Sequence, residues 1–179
     1  MMIMKSIIYF VLLTLVCVGT ASAQGAAVSS LSENDKARIA ETARSARDKK
    51  RITEQKYQRI IYLLNTNPCN GVDRSLSEAR KVQLALVIPK QLGLKSVEVL
   101  QSFSVKGWYV ILVDTHVSDE TFLFYSGNPA TSSPITEWSG AATIMETDEI
   151  ESWVLEHAPG IPSQMASCFA WHVTLDGGK

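Results

Sequence analysis

The apolar residues of this 179-residue chain recur with a helical spacing before Gly93 and with a spacing of two after it. That single change rules out purely helical and purely β folds. Upstream, Tyr57, Ile60, Ile61 and Leu64 fall at i, i+3, i+4 and i+7, the stripe of an amphipathic helix, with Thr53 in position to cap its start. Ser32 followed by Glu33 and Asp35 opens an earlier helix, in which Ala37, Ile39, Ala40 and Ala43 supply a thin apolar face to about Arg47. The charged turn Asp48-Lys49-Lys50-Arg51 joins these two as a hairpin. Asn67-Pro68-Cys69-Asn70-Gly71 reads as a loop from its turn residues. Ser75 and Glu78 have the spacing of a capping box for a third helix carrying Leu76, Ala79, Val82 and Leu86. Because that helix is apolar nearly all round from Leu84 to Ile88, it is expected to lie centrally in the core. Pro89 is expected to kink or end it, and Gly93 to close it with a left-handed cap.

Downstream, Val97, Val99, Phe103 and Val105 alternate with more polar neighbours, and Lys106-Gly107 makes a tight turn. Trp108 to Val117 is rich in branched and aromatic residues, as a strand requires. Ser118-Asp119-Glu120 reverses the chain again before a strand from Thr121 to Tyr125. After a Gly127–Pro134 loop, Ile135 to Ser139 reads as a fourth, edge strand. Connections this short join antiparallel neighbours, which makes a meander. Thr147 is expected to cap an acidic helix with Asp148, Glu149 and Glu151 in its first turn and His157 near its end. Pro162 suits the first position of a last short helix with Met165, Cys168 and Phe169 on one side. The expected class is therefore α+β in two layers: an N-terminal helical hairpin and a core helix packed on a three- to four-stranded antiparallel meander, with two short C-terminal helices. Residues 24–66 supply an arm and the hairpin, and 67–179 the α+β core, in one compact domain.

The first 23 residues have a different character. Lys5 precedes an apolar run from Ile7 to Val18, and Ala21-Ser22-Ala23 follows as a small-x-small box, the layout of a secretory signal peptide cleaved before Gln24. The run is shorter than the roughly 20 residues of a membrane span, and no second long apolar run follows. Val16 stands where a lipid-attachment box needs a small residue, which argues against an anchor on Cys17. The expected destination is the periplasm or the exterior, with no stable membrane span in the mature chain. Cys69 and Cys168 then remain, and in an oxidising compartment two cysteines most simply form one disulfide. Closing a loop of about 100 residues contributes on the order of 4–5 kcal/mol in the loop-entropy model.

Removing Lys5 with the leader leaves a net charge of −2, which favours neither nucleic acid nor a membrane surface. The distribution is more informative. Residues 30–66 carry net +4, 67–106 net +3, and 107–179 net −9 with Lys179 as the last segment's one cation. Such segregation steers a charged partner to one face, or else it cancels internally when the basic hairpin folds across the acidic half.

Chemistry has few footholds. On the strand from Trp108, Asp114 and His116 share a face with Val110 and Leu112, so the carboxylate is placed to orient the imidazole as a general base at a cleft rim. Cys168 and His172 share a helix face as a nucleophile–base or ligand pair, but pairing with Cys69 would consume the thiol. His116, His157 and His172 have no metal-ligand spacing, and no metal or cofactor is expected. Glycine-rich phosphate loops, Gly-x-Ser-x-Gly and His-Glu-x-x-His are all absent. Trp108, Trp138, Trp153 and Trp171 sit where core packing explains them, and Trp138 on the edge strand is the one expected at a surface. The expectation is thus an exported, non-catalytic binding protein of inhibitor or immunity type. Its acidic C-terminal surface (Glu146, Asp148, Glu149, Glu151 and Glu156, with Trp138, and Asp119 and Glu120 as outliers) would meet a basic envelope or secreted protein. The alternatives are a small envelope hydrolase or isomerase using Asp114 and His116, or an accessory subunit docking through its edge strand.

Overall fold

The computed structural model describes residues 31–175, so the expected leader, its cleavage position and the arm to residue 30 lie outside the described residues. Three helices come first: α1 (Glu33–Asp48), α2 (Glu54–Leu64) and α3 (Glu78–Leu92). The meander β1 (Glu98–Val105), β2 (Trp108–Asp114), β3 (Thr121–Ser126) and β4 (Thr136–Ser139) follows in that spatial order, every pair antiparallel. A single 3₁₀ turn at Ile144–Glu146 leads into α4 (Thr147–His157), and α5 (Ser163–Leu175) ends the fold. The α+β class and the helices at both ends are as the residue pattern predicts.

The layering is richer than two. Val110, Leu112, Phe122 and Phe124 point to one side of the sheet, where Phe103 and the buried faces of α2, α4 and α5 meet them. Ile111, Val113, Leu123 and Tyr125 point to the other, against Leu84 and Ile88 of α3 together with Val97 and Val99. The sheet is covered on both faces, so Val110 to Val113 and Thr121 to Tyr125 are buried without a break. The most buried helix is α5, with nine of its 13 residues inside. By contrast α3 lies alone on its face and leaves Val82 and Leu86 59% and 66% exposed. It is not the central helix that its composition suggests.

Local chemistry explains the boundaries. Ser32 and Thr53 accept from the backbone N–H groups of Asp35 and Lys56 as expected caps. For α3 the cap is Ser77, not Ser75, accepting from the Arg80 N–H. Ser75 is held elsewhere: its N–H donates to Asp73 Oδ1 at 2.8 Å, while Asp73 exchanges two backbone bonds with Ser104 of β1. α3 runs through Pro89, which is buried, and ends at Leu92. Gly93 at φ +68° then takes the left-handed cap, with the Leu94 N–H donating back to the Pro89 carbonyl. In β1 a register shift between Val99 and Gln101 inserts one extra residue. Val97 and Val99 consequently face α3, whereas Phe103 and Val105 pack on the opposite core. Strict alternation from Val97 to Val105 therefore fails at that bulge.

Cys69 and Cys168 are joined, with Sγ atoms 2.04 Å apart, which ties the loop after α2 to the middle of α5. Both are buried in the larger core. Among the described residues no helix is long and apolar enough to cross a membrane.

Candidate functional site

The acidic helix α4 lies against α2, and the two carry complementary charges at the same helical spacing. Lys56 and Arg59 are three residues apart on α2, and Asp148 and Glu151 three apart on α4. Arg59 reaches Asp148 Oδ1 at 3.0 Å through Nε and Glu151 Oε2 at 3.1 Å through Nη2. Lys56 Nζ lies 2.6 Å from Glu149 Oε1. The Lys56 hydrogen bond holds the Glu149 carboxyl below its ordinary pKa. The Ser167 hydroxyl of α5 donates to the second Glu151 oxygen. Asp148, Glu149 and Glu151 are thus engaged within the molecule.

The other two acids of the expected surface differ from these. Glu156 is exposed and makes no ion pair among the described residues. Glu146 accepts from the Thr143 N–H at 2.9 Å and its hydroxyl at 2.8 Å, and these bonds lower its pKa. Thr143 and Glu146 form the capping box of this helical segment, and Thr147, expected as the cap, is instead buried inside the helix. Its hydroxyl donates to the Ile144 carbonyl and lies 3.0 Å from the Thr174 hydroxyl of α5. The Thr-x-x-Glu spacing at 143–146 was the legible signal for that start.

Asp114 and His116 do come together, with His116 Nδ1 3.1 Å from Asp114 Oδ2. Their setting is a turn. β2 ends at Asp114, three residues before the expected Val117, and the other carboxylate oxygen accepts from the His116 N–H at 2.7 Å. His116 takes φ +59°, so the alternation that would carry it along the strand face stops there. Two open depressions flank α1, one lined by Glu41, Ser45, Lys49 and Arg51 among others, the second by Ile39, Ile144 and Met145 among others. Neither includes Asp114 or His116.

Cys168 is in the disulfide, and His172, one turn along α5, is buried with its ring 4.8 Å from that of Phe103 and Nδ1 3.3 Å from Arg74 Nη2. His157 stacks on Trp153 at 4.4 Å. Among the described residues no group of three His, Cys, Asp or Glu side chains is placed to hold a metal ion. Trp138 is half-buried, its ring against Phe122 at 6.0 Å and Phe169 at 5.5 Å, so it closes the core at the sheet edge. Trp171 is buried too and donates through Nε1 to the Leu63 carbonyl. For these residues the internal cancellation that the charge segregation allows is realised, while the individual partners were not legible, because helix–helix packing decides which charges meet.

Compared with protein-family models, with curated proteins and with solved structures, the chain has no match in any of the three.

Proposed function

We propose that this is an exported, non-catalytic binding protein of inhibitor or immunity type, whose acidic surface meets a basic protein. One observation carries the reading: after α2 has paired with much of α4, the C-terminal half still holds acids that no lysine or arginine pairs with among the described residues. Asp114, Asp119, Glu120, Glu137, Glu146 and Glu156 form no ion pair with a lysine or arginine among the described residues, and all but Asp114 are exposed. Residues 107–175 contain no lysine or arginine at all. Asp119 and Glu120 stand in the turn before β3, and Glu137 lies on the neighbouring edge strand, where Ser139 pairs with Thr121. The acids therefore cluster at one corner of the sheet and along α4, where they bias the approach of a cation-rich surface. The disulfide supports export into an oxidising compartment. The hydrolase alternative is less favoured, because Asp114 and His116 close a turn on the surface.

The test uses two strongly basic exported enzymes, a lysozyme and a cationic ribonuclease, immobilised and titrated with the disulfide-bonded protein. Binding to at least one at low ionic strength is expected to weaken at least about tenfold near 0.5 M salt. It should weaken similarly for the quadruple variant D119N/E120Q/E137Q/E156Q. Equal affinity of that variant, or no binding to either enzyme at low salt, sinks the proposal.

A further inference from the structure

The hairpin's cations divide into two groups. Lys36, Arg38, Arg44 and Arg47 pair within the hairpin with Glu33, Asp35, Glu41, Asp48 and Glu54, while Lys56 and Arg59 pair with α4. The remainder is the contiguous trio Lys49-Lys50-Arg51, exposed at the turn between α1 and α2 and in no ion pair among the described residues. Lys50 sits at φ +55°, a conformation unusual for a residue with a side chain. Exposed turns between elements are where proteases nick folded chains, provided the flanking segments open locally. Here both flanks are helix ends, and α1 buries only Ala43 completely.

We infer that Lys49–Arg51 is a processing site for a trypsin-like endoprotease, and that cleavage there releases α1 from the rest of the protein. The S1 pocket of such an enzyme takes a lysine or arginine side chain, and each position of the trio offers one. The bond cleaved is a peptide bond, with water as the second reactant. The disulfide at Cys69–Cys168 lies wholly on the C-terminal side of the cut, so nothing covalent retains α1 afterwards. Its remaining attachments are few: one small core residue, Ala43, half-buried Ile39 and Ala40, the Arg47 guanidinium over the Tyr57 ring at 4.3 Å, and the Arg47–Glu54 pair at 3.7 Å. Losing α1 bares more of Tyr57, which Arg47 covers, and of Ile144 and Met145, which lie beside Ile39.

The other exposed cations in turns make internal controls. Lys106 sits at the hairpin between β1 and β2, which cannot open without breaking the central sheet, and Lys95 follows the cap of α3. The experiment treats the unreduced protein with limiting trypsin and follows products by intact mass and gel filtration. The first cut is expected within 49–51, with the α1 fragment eluting apart from a folded remainder that binds a hydrophobic dye more strongly. The triple variant K49Q/K50Q/R51Q should slow first cleavage at least about tenfold with an unchanged melting temperature. A first cut at Lys95, Lys106 or within a helix overturns the site. Cleavage in the turn with both pieces co-eluting and no gain in dye binding overturns the release of α1.

Discussion

Gln91 joins three parts of the fold with one side chain. Its amide nitrogen donates to the carbonyls of Pro129 and Ser132 at 2.8 Å each, and its oxygen accepts from the Tyr125 hydroxyl at 3.0 Å. Burial pushes the Tyr125 phenol well above its ordinary pKa, which favours the protonated, donating form. Gln91→Ala should cost about 1–3 kcal/mol in urea unfolding, because it leaves buried partners unpaired, and should speed amide exchange across residues 127–134. Glu149 makes a different prediction. Its pKa is lowered in the folded state, so its contribution is complete above the unfolded value near 4.5 and is lost as pH falls through the lower folded one. Urea midpoints measured from neutral to acid pH should therefore fall less steeply in Lys56→Met than in the parent. Capping signals are legible unevenly. Ser32, Thr53 and Gly93 act as their types predict, since a cap depends on a few neighbouring backbone groups. Ser75 and Thr147 do not, because Asp73 is tied to β1 and Thr147 is drawn toward α5, and those contacts lie 27 or more residues away in sequence.

At the scale of elements, α5 shows how composition understates burial. Its sequence mixes Ser163, Gln164, Ser167, His172 and Thr174 among apolar residues, and it reads as a short closing helix, yet it fills the centre of the larger core. Phe169 is the hub there, with ring centroids 5.0 Å from Phe122, 4.9 Å from Phe124 and 5.5 Å from Trp138. Phe169→Ala should lower the unfolding free energy by about 3–5 kcal/mol, measured by chemical denaturation, since a cavity walled by three aromatic rings collapses poorly. β1 supplies the opposite lesson. Its existence was legible from the two-residue period, but the bulge after Val99 was not, because an inserted residue leaves no mark in the apolar pattern when both faces are covered. Helix α3 packs on the sheet through Leu84 and Ile88 as its apolar run predicts, but its solvent-facing Val82 and Leu86 look the same in sequence as core residues.

For the whole molecule, the class and strand order followed from spacing and short connections, while the second covering layer did not, since which helix takes which face is decided by long-range packing. The Cys69–Cys168 bond spans 99 positions. Replacing both cysteines with alanine should reduce stability by up to about 4–5 kcal/mol, read from urea midpoints of the variant against the oxidised parent. The two cores differ in how far along the chain they reach. The one beneath α3 draws on Leu84 to Tyr125, a contiguous stretch, whereas the other gathers Ala43 through Leu175. Refolding kinetics inherit that contrast, because nearby segments meet sooner than distant ones. Pulse labelling of the reduced, unfolded chain should find protection at Ile111 and Leu123 before Phe169 acquires any. A sulfur crosslink present from the start shortens the path between the distant segments, so the oxidised chain should protect Phe169 sooner than the reduced one.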